Sequence, residues 1–159
     1  MNPAAPRLNV VLVEPEIPPN TGNVARLCAA TGSVLHLVHP LGFRIDDRHL
    51  RRAGLDYWPH VAVREHESLA AFFRVTAPGP HLFFSARGGR PYTEAPVADG
   101  AFLVFGKEAT GLPADLLSAH RERTFRVPIW GRVRSLNLAT AVGIVVYDAY
   151  RRLGFPAGA

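Results

Sequence analysis

The chain has 159 residues, a length that suits one hydrophobic core, so we predict a single domain over residues 1–159. It has 18 basic and 13 acidic residues, for a formal net charge of +5, and Lys107 is the only lysine, so arginine carries the positive charge. The sequence has no apolar run near the about 20 residues that span a bilayer and no signal-peptide pattern, which favours a cytoplasmic protein without a membrane partner. With a single cysteine, we expect no disulfide within the chain.

The first predicted strand is the apolar run Leu8–Val13, and the proline-rich stretch Pro15–Arg26 (PEIPPNTGNVAR) follows it directly. Three prolines fix φ and remove N–H donors, so we expect a rigid loop that neither pairs as a strand nor starts a helix early. Asn20 and Thr21 offer side-chain oxygens for an N-cap. The helical spacing of the apolar residues that follow predicts a helix over 21–31.

Two polar residues of this helix are candidates for function. Asn23 and Arg26 are three residues apart, on one face of the first turns and at the carboxyl end of the first strand. Ligands bind at that position in open α/β sheets. The same helix holds Cys28 among apolar residues, so we expect an inert core thiol there.

Apolar runs and helical patterns alternate along the rest of the chain. Strands are predicted at Val34–Val38, Val61–Val63, Leu82–Phe84, Phe102–Phe105 and Phe125–Val127, and helices at Asp46–Ala53, Ser68–Val75, Pro113–Ala119 and Leu138–Leu153. Short apolar strands flanked by helices predict an α/β fold with a parallel sheet covered on both faces. The last helix is small or apolar nearly all round, so it lies in the core or under a second subunit.

Two later strands also end in loops that are typical of binding sites. FGKEATGLP (Phe105–Pro113) follows the fifth strand, and VPIWGRVRSLN (Val127–Asn137) follows the sixth. Gly106 would let backbone approach a ligand closely. Ser135 or Asn137 could instead cap the last helix, so for each loop alone both capping and function stay open. Three such loops at the strand ends of one sheet favour a site.

Familiar catalytic signatures are absent from the sequence. It has no G-x-G-x-x-G motif, and Gly100–Lys107 (GAFLVFGK) departs from the P-loop pattern by one residue and lacks the Ser or Thr that binds magnesium. The seven histidines have no metal-binding spacing, so we expect no metal, and no G-x-S-x-G elbow surrounds Ser85 or Ser135. Arginine suits phosphate recognition, which favours nucleic acid, although a GC-rich genome also produces Arg-rich chains.

Four segments occur in an order and at spacings that resemble the SPOUT superfamily of S-adenosylmethionine-dependent RNA methyltransferases: EPEIPPNTGNVARLCAATG, DDRHLRRAGLDYW, FGKEATGLP and RSLNLATAV. Within it, the chain from about Leu8 to Phe155 is similar to the TrmL-like family, which methylates the ribose 2'-hydroxyl of the wobble nucleotide, C or U at position 34, in the tRNA anticodon stem-loop. The resemblance implies a C-terminal deep trefoil knot, a homodimer, and S-adenosylmethionine as the cofactor with S-adenosylhomocysteine as its product.

The resemblance also implies roles for single residues. It gives Arg26 as the catalytic arginine, with Asn23 beside it and Asn137 from a later motif. The residues implied for cofactor binding are Phe84, Gly106, Glu108, Val127, Ser135 and Leu136. The chain departs from the family in two places. Lys107–Ala109 stands where Pro-Glu-Thr is more usual, and Trp130–Arg134 stands where an acidic loop is expected. Both departures bear on substrate preference.

Methyl transfer to a ribose hydroxyl is an in-line displacement, so an enzyme must align two atoms and help the hydroxyl lose its proton. No His or Cys stands in a matched position, which leaves Arg26. Because a guanidinium stays protonated at neutral pH, we expect Arg26 to stabilise the developing alkoxide and the neighbouring phosphate. The other interpretation makes it a transiently deprotonated base beside the sulfonium. In either role, the rigid proline loop would hold it in position.

Three other functions stay open at this point. They are a SPOUT enzyme acting on another RNA or on a base nitrogen, a non-catalytic RNA-binding or assembly factor, and a nucleotide-binding α/β regulator. The lack of an appended RNA-binding domain favours a small tRNA substrate. Arg51 and Arg52 would line an RNA groove of a dimer or form a solvated helix face.

Overall fold

A computed structural model of the protein describes residues 5–46, 48 and 55–159. Within these residues the strands are β1 (Asn9–Val13), β2 (Val34–Val38), β3 (Val63–His66), β4 (His81–Phe84), β5 (Arg90–Pro91), β6 (Phe102–Phe105) and β7 (Thr124–Arg126). The α-helices are α1 (Pro18–Thr31), α2 (Leu69–Thr76), α3 (Ala114–Ala119) and α4 (Leu138–Leu153), with short 3-10 helices at Leu55–His60, Tyr92–Glu94 and Arg121–Arg123. No helix in this part of the chain is long and apolar enough to cross a membrane.

The strands form one sheet in the order β3-β2-β1-β6-β4-β7-β5, and every pairing between them is parallel. This confirms the predicted α/β fold with a parallel sheet flanked by helices. β6 lies between β1 and β4, so the carboxyl ends of strands that are distant in sequence meet at one edge. The trefoil knot implied by the resemblance stays a prediction.

Helices cover both faces of the sheet because the strand residues are apolar on both sides. In β1, Val10 and Leu12 pack into a core with residues of α1 and α4, whereas Val11 and Val13 pack into a second core with Phe72 of α2. The alternation follows from the period of two in a strand. Each face of the central strands is therefore sealed from water.

The first helix starts earlier than the sequence predicted. α1 begins at Pro18, with two prolines in its first turn, and its N-cap is Ile17, which makes no side-chain capping bond. Asn20 and Thr21, predicted to cap the helix, are buried within it instead. Proline is tolerated in a first turn because the N–H that it lacks would have no helical partner there. The prediction that prolines delay the helix was wrong.

Most other boundaries agree with the predicted ones to within two residues. The third strand is displaced to Val63–His66, and the two-residue strand Arg90–Pro91 was not predicted. The predicted helix Asp46–Ala53 falls largely outside the described residues, and Arg51 and Arg52 lie outside them as well.

Cys28 is fully buried in α1, as predicted. Burial raises the pKa of its thiol to about 12. Because the reactive form of cysteine is the thiolate, the thiol is inert at neutral pH.

Candidate active site

A cleft of about 740 Å³ opens at the carboxyl ends of β4, β6 and β7. All three loops predicted to form a site contribute to it: the start of α1, the loop after β6 and the loop between β7 and α4. Seven of the nine predicted site residues line it, namely Phe84, Gly106, Glu108, Val127, Ser135, Leu136 and Asn137. The three loops therefore meet as the strand-end argument predicts, and the binding roles of these residues stay predictions.

Glu108 joins the loop after β6 to the start of α1. Its carboxylate accepts hydrogen bonds from the backbone N–H groups of Glu16, at 2.8 Å, and of Ile17, at 2.9 Å. The side chain of Glu16 in turn accepts a bond of 3.0 Å from the N–H of Ala109. Glu108 thus fixes, from 91 residues away, the two N–H groups that directly precede the helix, and its charge lies near the positive end of the helix dipole.

Gly106 has a structural role in the same loop. A β-carbon at this position would overlap the backbone of Gly111 and Leu112, which folds back over Gly106. The loop is closed by a 2.9 Å bond from the Gly111 N–H to the Lys107 carbonyl, with Gly111 at φ +70°. We expected Gly106 to make room for a ligand. Instead, the approach of the protein's own backbone requires glycine here.

Asn137 both caps α4 and connects it to α1. Its Oδ1 accepts a bond of 3.2 Å from the Thr140 N–H, so its Nδ2 is free to donate to Oδ1 of Asn20, at 3.0 Å. The capping alternative is thus observed, and the catalytic role that the resemblance implies for Asn137 stays a prediction. Asn20 also lines the cleft, which the sequence argument missed because it assigned Asn20 to capping. Its position in the first turn of the helix that follows β1 was the signal that could have identified it.

A fourth loop, Ser85–Arg87, also lines the cleft. It is fixed by a 2.9 Å bond from the Ser85 N–H to the Phe125 carbonyl and by a 3.1 Å bond from the Arg87 N–H to the Ser85 hydroxyl. The segment directly follows β4, so the rule that found the other loops applies to it equally.

Asn23 and Arg26 are exposed on α1 and do not line the cleft. The guanidinium carbon of Arg26 lies 4.8 Å from the centroid of the Tyr57 ring, a cation–π contact. Along an ideal helix Arg26 is about 9 Å from Asn20 and about 120° around the axis. The catalytic roles assigned to Asn23 and Arg26 therefore stay predictions.

The composition of the cleft suits a ligand with a flat apolar part and a polar chain. Phe84, Phe105 and Val127 give it apolar walls, while the loop after β6 exposes backbone polar groups. Its cationic lining residues are Arg87, Lys107 and Arg134, and it contains no His or Cys.

A parallel α/β sheet with a ligand cleft at its strand ends is typical of cofactor-binding enzymes. The profile of the SpoU rRNA Methylase family matches residues 7–147, and the chain belongs to this family.

Individual relatives agree with this assignment. The protein of Escherichia coli (strain K12) named tRNA (cytidine(34)-2'-O)-methyltransferase is 47% identical over 150 residues, which cover 94% of this chain and 96% of that protein. A solved structure described as giving insights into the 2-OH methylation of C/U34 on tRNA is 50% identical, with a TM-score of 0.88, and covers 94% of this chain and 98% of its own. An AdoMet-bound rRNA methyltransferase from Sinorhizobium meliloti is 25% identical, with a TM-score of 0.83, and covers 97% of this chain and 59% of its own.

Proposed function

We propose that the protein transfers a methyl group from S-adenosylmethionine to the ribose 2'-hydroxyl of the wobble nucleotide, C or U at position 34, in the tRNA anticodon stem-loop. The observation that carries this proposal is the meeting of the FGKEATGLP and VPIWGRVRSLN loops with Asn20 in one cleft. The family assignment and the near-full-length similarity to a tRNA (cytidine(34)-2'-O)-methyltransferase support the same reaction. We further propose that the enzyme acts in the cytoplasm.

The cleft residues fit S-adenosylmethionine. The apolar surfaces of Phe84, Val127 and Leu136 suit an adenine ring and the methionine chain, and backbone groups near Gly106 and Ser135 would fix their polar edges. Bound there, the cofactor supplies an electrophilic methyl group. Glu108 holds the loop after β6 against α1, and Asn137 holds α4 against Asn20, so three walls of the cleft keep one relative position.

Arg26 is the proposed catalytic residue, with Asn23 beside it. As a guanidinium it stays charged at neutral pH, so it would stabilise the negative charge that develops on the 2'-oxygen and the neighbouring phosphate. Arg26 is exposed and lies outside the cleft lining. The proposal therefore requires the bound RNA to place the reacting ribose between the cleft and the Arg26 guanidinium. The Tyr57 ring beneath the guanidinium limits its motion.

We also propose a homodimer, supported by the outward face of α4. Thr140, Gly143, Ile144 and Tyr147 follow one another at helical spacing on this face, and the Tyr147 side chain is 49% exposed. From Leu138 to Tyr147 the helix carries no charged side chain, and such a face is stable in water when another subunit covers it. Continuity between α4 and the cleft, through Asn137, would then couple assembly to the site.

The function is tested with purified protein, S-adenosylmethionine carrying a labelled methyl group, and unmodified tRNA transcripts. We expect label in tRNA, and nuclease digestion with mass spectrometry to locate it on the ribose of nucleotide 34. Label on ribosomal RNA alone or on a base nitrogen would contradict the proposal in favour of another methyltransferase activity. Failure of the protein to bind S-adenosylmethionine in calorimetry would favour a non-catalytic RNA-binding factor.

A further inference from the structure

The loop between β7 and α4 carries two exposed apolar side chains that the proposed methyl transfer does not use. The Trp130 side chain is 92% exposed and that of Val133 is 61% exposed. Tryptophan has the largest apolar surface of any residue and is usually well buried, so its almost complete exposure on a folded protein indicates a contact still to be made. We call Trp130–Arg134 the rim loop.

The rim loop lies at the mouth of the cleft. The residues on either side of its tip, Ile129 and Arg134, both line the cleft, whereas Trp130 and Val133 do not. A short loop with both ends in the cleft wall and an exposed tip must project beside the opening. A large substrate whose reacting group enters the cleft therefore passes close to this tip with the rest of its chain.

The charges of the rim loop indicate what it contacts. Arg132 and Arg134 follow Trp130 and stand on either side of Val133 in the sequence, and neither forms an ion pair with a described residue. Arg87 and Lys107 on the cleft wall add positive charge. An aromatic side chain in the same short loop as two arginines suits single-stranded RNA, because bases stack on the ring while phosphates bind the guanidinium groups.

We infer that the rim loop binds the RNA strand next to the reacting nucleotide, with Trp130 stacked on a neighbouring base and Arg132 on a phosphate. The inference rests on the proposed function and adds a positioning surface to it. The stacked base would hold the strand so that the adjacent ribose enters the cleft. The rim loop would then help to set which anticodon loops the enzyme accepts.

The test uses Trp130→Ala and Trp130→Phe in the full chain, with an anticodon stem-loop RNA carrying C34 as the probe. Fluorescence anisotropy measures RNA affinity and calorimetry measures S-adenosylmethionine affinity. We expect Trp130→Ala to weaken RNA binding by about 10-fold or more and Trp130→Phe to recover most of the loss, because phenylalanine keeps a stacking face. Cofactor affinity should not change. Phe155→Ala is the matched control, since Phe155 is 56% exposed but follows the opposite end of α4.

A second measurement tests the phosphate contact. The slope of log affinity against log salt should fall by about 0.7 in Arg132→Gln, the loss of one contact with a single strand. An unchanged slope would refute that contact.

The outcomes separate this inference from the proposed function. If wild-type protein methylates nucleotide 34 and Trp130→Ala binds the stem-loop with unchanged affinity, the inference is wrong and the function stands. If the wild type binds the stem-loop but methylates nothing, the function is wrong, and the affinity of Trp130→Ala still decides the inference. Dissociation of an oligomer by Trp130→Ala, seen in sedimentation, would assign the rim loop to a subunit contact and overturn the inference.

Discussion

At the scale of single residues, the site divides into side chains that shape the cleft and one that we assign to the chemistry. Glu108 and Asn137 use their polar atoms to join loops, and Gly106 makes room for backbone. Among the residues that the structure describes, Arg26 contacts the Tyr57 ring and makes no such hydrogen bond. An exposed arginine on a helix that borders the cleft can therefore be changed without loss of fold, which makes it the residue best suited to a kinetic test.

Arg26→Ala should lower turnover by at least about 100-fold, the scale expected for losing one charge partner in the transition state. Unfolding by urea and calorimetric binding of S-adenosylmethionine should stay unchanged, because Arg26 is exposed and does not line the cleft. Arg74→Ala, at an exposed arginine of α2, is the matched control. Turnover of Arg26→Ala at the wild-type rate would show that this assignment is wrong.

Arg26→Lys distinguishes the two roles considered for the arginine. Lysine keeps the positive charge but loses the planar fork, so a stabilising role predicts partial activity with a shallow pH dependence. A base role predicts activity that climbs steeply with pH, because an amine loses its proton more readily than a guanidinium. The pH profile of turnover between pH 7 and 10 decides between them.

A buried histidine makes stability depend on pH. His36 in β2 lies between Asn9 and His66, with 2.9 Å from its Nε2 to Asn9 Oδ1 and 2.9 Å from its Nδ1 to His66 Nε2. Asn9 Nδ2 donates to the Gly100 carbonyl, so Asn9 Oδ1 accepts and His36 Nε2 must carry the proton. Burial, and then the nearby charges of His66 and Arg64, lower the pKa of His36 to about 4.

Between pH 6.5 and pH 4 the unfolded chain binds a proton at His36 and the folded chain does not. The contribution of His36 to the free energy of unfolding is therefore complete above about pH 6.5 and is lost as the pH falls toward 4. Between pH 7.5 and pH 5 we expect His36 to account for a loss of about 2 kcal/mol in the free energy of unfolding. Urea titrations at the two pH values should give a smaller loss for His36→Gln than for wild type. His60→Gln, at an exposed histidine, is the control. Equal losses in wild type and His36→Gln would contradict this account.

At the scale of elements, the sequence predicted the strands better than the start of α1. Central strands such as Val34–Val38 are buried on both faces, so they appear as short apolar runs that periodicity detects. The start of α1 depends on Glu108, which is far away in sequence, and no local pattern can reveal a cap of that kind. The pairing of Asn20 with Asn137 was hidden for the same reason.

The reciprocal bonds of Glu16 and Glu108 give a prediction for the start of α1. Glu108→Ala leaves the N–H groups of Glu16 and Ile17 without their acceptor, so we expect a loss of about 1 kcal/mol in stability and weaker cofactor binding. If Glu108 acts by positioning the loop, Glu16→Ala should weaken cofactor binding too, because it frees the Ala109 N–H. If Glu108 touches the cofactor directly, Glu16→Ala should leave that affinity unchanged. Calorimetry measures the S-adenosylmethionine affinity of both variants, and Glu94→Ala, at an exposed position, is the control.

At the scale of the whole molecule, the order of the strands decides where the site forms. The α/β class followed from alternating strands and helices, but the insertion of β6 between β1 and β4 depends on packing between distant segments. That insertion brings the loops after β4 and β6 beside the start of α1. Seven predicted residues therefore meet in one cleft although they span more than fifty positions of the sequence.

The proposed homodimer predicts a stable association through the outward face of α4. Sedimentation at micromolar concentration should give the dimer mass, and Tyr147→Asp should shift it toward the monomer because the new carboxylate would be buried without a partner. Val75→Asp, at a residue that is 71% exposed on α2, should leave the mass unchanged. A wild-type protein that sediments as a monomer would contradict the proposal.

The most direct test of the account is the state of nucleotide 34 in cellular tRNA. Nuclease digests of tRNA would be compared by mass spectrometry between the parent strain, a strain lacking this gene, and that strain supplied with wild-type protein or with Arg26→Ala. We predict that the 2'-O-methylated nucleotide at position 34 disappears on deletion, returns with the wild-type protein and stays absent with Arg26→Ala. Identical methylation of nucleotide 34 in the parent and deletion strains would contradict the account.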